Sequence, residues 1–208
     1  MAEKGNTKQE ILACALELFS VQGYEASSIS QIAEAVGIRK ASLYSHFKSK
    51  QDILDELVHE ILAQYAEHSA FVRADWDDPA FIKKMQQMTT DDEAQLIIGH
   101  IRYIIHDPQV SKARKMLTIE QFQNEELREL QTKQNYTDIL RYFTGLVRFL
   151  IRQEKLIDED AEIMAAPLCL PITVWINLCD REPEREAEIM ALIERHIRQF
   201  FHIYRAKG

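Results

Sequence analysis

Apolar residues recur at helical spacing along almost the whole chain. The first stripe runs from Ile11 to Phe19, and Gly23 follows it as a residue typical of the position just past a helix end. Ser28 offers an N-cap to a second, short helix, which ends at Gly37. The beginning of the chain therefore predicts two helices separated by a tight turn.

The rest of the chain continues the same pattern. A short helix is predicted over residues 39–47, and a long one begins after Ser49, where Asp52 is placed to complete a weak capping box, and extends to about Val72. Later stretches predict helices over roughly residues 80–89, 92–106, 109–122, 125–154, 159–180 and 184–205. No stretch alternates as a strand does, so we expect an all-α chain of about nine to ten helices.

The longest apolar run, residues 163–179, is at the short limit for a membrane span. It contains Pro167, Pro171 and Asn177, so we interpret it as a buried helix. The N-terminus has no apolar segment of the secretory type, and three cysteines among 208 residues fit a reducing cytoplasm. We therefore expect a cytoplasmic globular protein.

Charge is distributed unevenly along the chain, whose net charge is −8. Residues 1–50 hold six Lys or Arg against five Glu, and the remainder holds 19 basic against 28 acidic residues. A pI near 5.4 is unlike that of a dedicated nucleic-acid domain. Residues 35–51, however, carry four positive charges and no acid, and such a local patch acts over about 8 Å at physiological salt.

Residues 28–47 have the pattern of a helix-turn-helix, whose second helix lies in the major groove of DNA. Leu43 and Phe47 are expected to face the core, which leaves the polar side chains of the second helix outward. Arginine can pair with guanine, lysine and serine can reach bases or phosphates, and alanine can contact a thymine methyl. The candidate DNA-binding residues are Ser27, Ser28, Arg39, Lys40, Ala41, Ser42, Tyr44, Ser45, His46 and Lys50.

The stretch GYEASSISQIAEAVGIRKASLYSHFKSKQDIL, residues 23–54, resembles the DNA-binding domain of the TetR (tetracycline-repressor-like) family of transcription regulators. The resemblance implies a DNA-binding domain over residues 5–65 and a larger helical domain over residues 66–208, which dimerises and binds a ligand. It also implies backbone contacts from Ser28, Tyr44, His46 and Lys50, and base contacts from Arg39, Lys40, Ala41, Ser42 and Ser45. The family often has Ser or Thr in place of Arg39, where it caps the recognition helix.

The resemblance implies a ligand pocket and a dimer interface in the second domain. Bulky and polar residues on the middle helices are the pocket candidates: Trp76, Met85, Met88, His100, Tyr103, Glu120, Phe122, Tyr136, Phe143, Trp175 and Asn177. Each of the bulky residues also fits an ordinary core. The apolar stripe near the C-terminus supplies the dimer candidates: Ile189, Ile193, Ile197, Phe200, Phe201 and Tyr204.

Three functional interpretations follow. The first is a homodimeric repressor that a small apolar or amphipathic ligand releases from a palindromic double-stranded DNA operator. The second is a ligand-independent architectural or protein-controlled DNA-binding regulator. The third is a helical enzyme or adaptor, which the motifs do not favour, because no histidine pair has metal-ligand spacing and no phosphate loop or nucleophile elbow occurs. We therefore expect no catalytic residues, no metal, no cofactor and no membrane partner.

Overall fold

The computed structural model describes residues 4–68 and 74–206, and these residues form helices joined by short turns. The α-helices, numbered in chain order, are α1 Lys4–Gln22, α2 Ile29–Val36, α3 Lys40–Leu43, α4 Lys50–His68, α5 Pro79–Gln86, α6 Thr90–His106, α7 Pro108–Glu120, α8 Glu125–Thr132, α9 Asp138–Arg152, α10 Ala161–Arg181 and α11 Glu186–Ile203. The predicted all-α fold is confirmed. The end that we predicted for the fourth helix, near Val72, lies outside the described residues.

The chain divides into two compact units. The first comprises residues 1–68 and 108–131, and the second comprises residues 69–107 and 132–208. This division differs from the predicted boundary near residue 65, because α7 and most of α8 pack with the N-terminal helices. Met116 and Leu127 are fully buried in the same core as Phe19, Leu43 and Ile53.

The second unit is built around α6, α9, α10 and α11. Its core contains Ile98, Val147, Leu168 and Ile193, each fully buried on a different one of these helices. The contacts run from α9 to α10, from α10 to α11 and from α11 to α6. Each of these helices therefore buries a stripe of branched aliphatic and aromatic residues against its neighbours.

A π-helical turn interrupts the single helix that the sequence predicted over residues 125–154. It occupies Lys133–Thr137, between α8 and α9. Asp138 follows it with a buried carboxylate that pairs with Lys133 and, at 3.0 Å, with Arg141. The apolar periodicity of the sequence did not indicate this turn. A π-helical turn adds a single residue to a helix, so the apolar stripe along the helix remains almost continuous.

The apolar run of residues 163–179 forms most of α10. This helix is long and apolar enough to cross a membrane by length and composition alone, and Pro167 and Pro171 lie inside it. One of its faces is buried in the core of the second unit, where it contributes Met164, Leu168 and Ile172. That packing supports the interpretation of the run as a core helix of a globular protein.

Candidate nucleic-acid interface and helical cavity

The helix-turn-helix consists of α2, a turn at Gly37 and the short helix α3. Ser28 caps α2 in a capping box, in which its hydroxyl accepts from the Gln31 backbone N–H at 3.2 Å and its own N–H donates to the Gln31 side chain at 2.8 Å. Gly37 ends the helix with φ +76°, a left-handed conformation that glycine adopts without strain. The predicted cap and stop of this helix are both confirmed.

Buried residues fix which side of α3 faces outward. Leu43 and Phe47 are buried in the core of the first unit, against α2 residues that include Ile32. The opposite side carries the residues that we call the recognition surface: Arg39, Lys40, Ala41, Ser42 and Tyr44, which are exposed, and His46, which is half-buried. No acidic residue occurs between positions 35 and 51, so this surface is positively charged.

Three other predicted DNA-binding residues form bonds within the unit. Ser27 is buried, and its hydroxyl donates to the Gly23 carbonyl at 2.7 Å, so it is not available to a phosphate in this conformation. The Lys50 ammonium donates to the carbonyls of Tyr24 and Ser27 at 2.7 and 2.9 Å and lies 4.0 Å from the centre of the Tyr24 ring. Ser45 is exposed, but its hydroxyl donates to the Ser42 carbonyl at 2.6 Å.

Glu120 anchors the turn between α1 and α2. The α7 helix carries it into the core of the first unit, where its Oε1 accepts the Tyr24 backbone N–H at 2.7 Å. Gly23 has φ +84°, and a Cβ there would lie 3.0 Å from the same Oε1 atom, so both conformation and space favour glycine. Phe122 also belongs to the first unit, with 84% of its surface exposed. Neither residue lines the cavity of the second unit described next, and their assignment to a ligand pocket stays a prediction.

The second unit contains a small apolar cavity between α6, α9 and α10. Its volume is about 40 Å³, and its lining is formed by Leu96, Ile97, His100, Ile101, Ile104, Ile139, Tyr142, Phe143, Cys169, Ile172, Thr173 and Ile176. Burial lowers the pKa of His100, so its imidazole is neutral at neutral pH. Burial also raises the pKa of the Cys169 thiol to about 11, so no lining side chain carries a charge.

Of the predicted pocket residues, only His100 and Phe143 line this cavity. Trp76, Met85 and Met88 pack in or against the core, while Tyr103 and Tyr136 are exposed. Trp175 contacts the His196 ring, and the Asn177 amide donates to the Thr173 carbonyl at 3.0 Å. The sequence pattern did not indicate most of this lining, because half of it is isoleucine, which has the same periodicity as ordinary core.

The predicted dimer residues are already occupied within one chain. Ile189, Ile193, Ile197, Phe200 and Phe201 are buried in the core of the second unit, and Tyr204 packs against it. These side chains thus have partners within their own chain, and their role in a dimer stays a prediction. A wide apolar stripe does not reveal whether its partner helix belongs to the same chain. The exposed apolar residues of this region include Ile163 and Val174 on α10, which are 70% and 60% exposed, and Ile203 at the end of α11, which is 58% exposed.

Comparison with known proteins identifies the helix-turn-helix. Residues 11–57 match the model of bacterial regulatory proteins of the tetR family. Over 130 residues the chain is 31% identical to the HTH-type transcriptional repressor KstR2 of Rhodococcus jostii, a match that covers 61% of this chain and 62% of that protein. The helix-turn-helix region of this chain is therefore of the TetR type. A second match, to the HTH-type transcriptional regulator AcrR of Shigella flexneri, has 44% identity over 55 residues, or 26% of each protein.

The matches to these curated relatives span from about a quarter to less than two thirds of their length. Solved structures extend the TetR-type fold to nearly the whole chain. The complex of SmeT with triclosan has a TM-score of 0.64 at 18% identity and covers 98% of this chain and 93% of that one. A regulator from Saccharomonospora viridis in complex with choline has a TM-score of 0.65 at 16% identity, over 99% and 100% of the two chains. At these identities the likeness concerns the fold alone.

Proposed function

We propose that the protein is a non-enzymatic, cytoplasmic transcriptional regulator that binds double-stranded DNA as a homodimer and represses transcription from a near-palindromic operator. The observation that carries this proposal is the recognition surface on α3. It is exposed, free of acid and supported from behind by Leu43 and Phe47. It also lies within the segment that matches the TetR-type DNA-binding domain.

The recognition surface divides into two kinds of contact. Arg39, Lys40, Ala41 and Ser42 belong to the N-terminal part of α3, the part of a recognition helix that reaches base edges. Tyr44, 48% exposed, and His46 lie at its C-terminal end, from which they would contact phosphates. Lys50 contributes by holding the turn at Tyr24 and Ser27, the turn that leads into α2.

The dimer that we propose forms through the outward side of α10. Ile163, Pro167, Leu170 and Val174 follow one another at helical spacing along that side, and three of the four are exposed. A helix with one face in its own core and a second apolar face in solvent needs a further partner. A twofold contact between two copies of α10 would provide one and would bring two recognition surfaces to one operator.

Replacement of Val174 by glutamate tests this interface. We expect dimer affinity to fall by on the order of 100-fold, because a carboxylate would be buried without a partner. Operator affinity is expected to fall with it. Val21→Glu is the matched control, since Val21 is an equally branched, 73% exposed residue on α1 of the first unit. Light scattering over a concentration series measures both variants, and equal dimer affinities would contradict the assignment of this face.

The effector that we propose is a small uncharged molecule bound in the apolar cavity. An ionised group would lose its hydration there and find no charged partner in the lining. The neighbours bound to triclosan and choline show that proteins of this fold bind small molecules. A ligand that favours one of two conformations shifts their populations, and coupling of about 1–3 kcal/mol is typical of such regulation.

One observation favours a second candidate, a DNA-binding regulator that no small ligand controls. The cavity of about 40 Å³ is far smaller than the 300–1,000 Å³ typical of ligand pockets. Thermal unfolding separates the two candidates when the protein is measured alone and then with small neutral compounds at saturating concentration. A bound effector raises the melting temperature and weakens operator binding, whereas a ligand-independent regulator responds to none of them.

Selection from random double-stranded DNA tests the proposed function itself. A dimeric regulator is expected to enrich two half-sites related by twofold symmetry, with centres one helical turn or a multiple of it apart. Failure to enrich any sequence would remove the proposal. Enrichment of a single unsymmetrical site would leave DNA binding in place but would contradict the dimer.

A further inference from the structure

Arg39 occupies a position where most helices have a different kind of residue. It is the N-cap of α3, with φ −72° and ψ 144°, and it makes no side-chain capping bond. A guanidinium has no acceptor atom and cannot cap the first N–H groups of a helix. Ser28, Thr89 and Asp160, by contrast, cap α2, α6 and α10 with side-chain oxygens. The recognition helix, only four residues long, therefore lacks the local stabilisation that these three helices have. The α11 helix also has an arginine N-cap without a capping bond, but that residue, Arg185, pairs with two glutamates.

A residue that works against its local structure is expected where function requires it. The Arg39 side chain is exposed, and within residues 4–68 and 74–206 its guanidinium has neither a hydrogen bond nor an ion pair. The nearest residues in sequence include no acid that could neutralise it. All five N–H donors of the guanidinium are therefore available to an external partner.

The chemistry of that partner follows from the position of the residue. N-terminal residues of a recognition helix contact base edges in the major groove. The fork of an arginine matches O6 and N7 of guanine, which present two acceptors side by side. Lys40 can also donate to guanine, but its flexible ammonium lacks the planar fork that fixes the geometry of the contact, and Ala41 offers only a methyl group.

We propose that Arg39 reads one guanine in each half-site of the operator and determines the sequence preference of the protein at that position. This inference rests on the proposed DNA binding and adds the base that the site recognises. Arg39 occupies the N-cap position but does not cap α3. The bidentate contact with guanine would therefore fix the start of α3 only in the complex.

The test compares sequences selected from random DNA by the full-length protein and by three variants. Arg39→Lys keeps the charge without the fork, and Arg39→Ser supplies a cap that favours the folded helix. Lys48→Ser is the matched control, because it removes an exposed charge just beyond Phe47. The wild type and Lys48→Ser are expected to enrich guanine at one position of each half-site. Arg39→Ser is expected to lose that preference by on the order of 10-fold or more, and Arg39→Lys is expected to keep only part of it, while the other positions stay the same.

Three results would overturn the proposal, and each points to a different cause. Unchanged preference in both Arg39 variants would mean that Arg39 does not read a base. A second result is that Arg39→Ser lowers the affinity equally for all sequences and reduces the slope of log affinity against log salt concentration by about one. That result, with no change in sequence preference, would mean that Arg39 contacts a phosphate. No enriched sequence with the wild type would overturn the proposed function together with this inference.

Discussion

Replacing Lys155 by methionine is expected to lower the free energy of unfolding by about 3–5 kcal/mol, because it leaves a buried carboxylate without its partner. Lys155 follows α9, and its ammonium donates to Glu93 Oε1 at 2.9 Å. The Glu93 side chain is only 1% exposed. The same ammonium donates to the Met88 carbonyl at 2.6 Å and to the Met85 carbonyl at 3.4 Å, near the end of α5. One cation thus satisfies three acceptors in the second unit.

The loss is expected to depend on pH in a defined direction. Burial raises the pKa of Glu93, and Lys155 opposes that rise. Without Lys155 the folded protein would bind the Glu93 proton at a higher pH than the unfolded chain does. The free energy of unfolding of Lys155→Met should therefore decrease as pH rises above the ordinary glutamate range, so the variant should lose more at pH 8 than at pH 5.

Two variants make this prediction specific. Adding Glu93→Gln to Lys155→Met removes the unpaired charge and is expected to restore part of the lost stability. Lys84→Met, which changes an exposed lysine in the same unit, is expected to alter stability by less than about 0.5 kcal/mol. Urea unfolding monitored by circular dichroism measures all of them. Equal effects of Lys155→Met and Lys84→Met would show that the buried pair contributes nothing.

Gly145 and Gly99 are expected to respond in opposite directions to the same substitution. Both lie within helices, Gly145 in α9 and Gly99 in α6. A Cβ at Gly145 would lie 2.2 Å from Trp76 Nε1, whereas a Cβ at Gly99 would have no neighbour within 4 Å. Gly145→Ala is expected to destabilise by about 1–3 kcal/mol, because the indole must move. Gly99→Ala should stabilise by about 0.5–1 kcal/mol, because alanine favours the helix.

The cost at Gly145 is expected to arise from the aromatic cluster around Trp76. The indole packs against Phe81, Tyr142 and Phe149, with ring centroids 5.2, 5.6 and 6.0 Å away. Trp76 fluorescence in a Trp175→Phe background reports its movement directly, because the chain has two tryptophans. Stabilisation by both alanine substitutions, or an unchanged Trp76 spectrum in Gly145→Ala, would contradict this account.

Local signals were reliable where one residue type has one structural consequence. Gly23 and Gly37 both adopt positive φ, and Ser28 forms the predicted cap. The inward direction of Leu43 and Phe47 also followed from spacing alone. These features made the helix-turn-helix and the outward side of α3 predictable, because each depends on neighbours only a few residues away.

Features that depend on distant partners were not predictable in this way. The buried stripe of α11 had the pattern of an interface, but its partners belong to the same chain. The positive charge of Lys50 suggested a phosphate contact, yet two carbonyls of the turn before α2 bind it in this structure. The role of Glu120 depends on an α7 helix that packs against α1 across a long interval of sequence.

The central claim, that the recognition surface binds DNA, is tested most directly by an equilibrium titration. The full-length protein is titrated against the DNA that flanks its own gene, or against selected DNA, at two salt concentrations. We expect a specific complex that weakens steeply with salt and that Lys40→Ala/Tyr44→Ala abolishes, while Lys84→Ala leaves it intact. A complex of equal affinity in the wild type and the double variant, or no specific complex with either DNA, would contradict the claim.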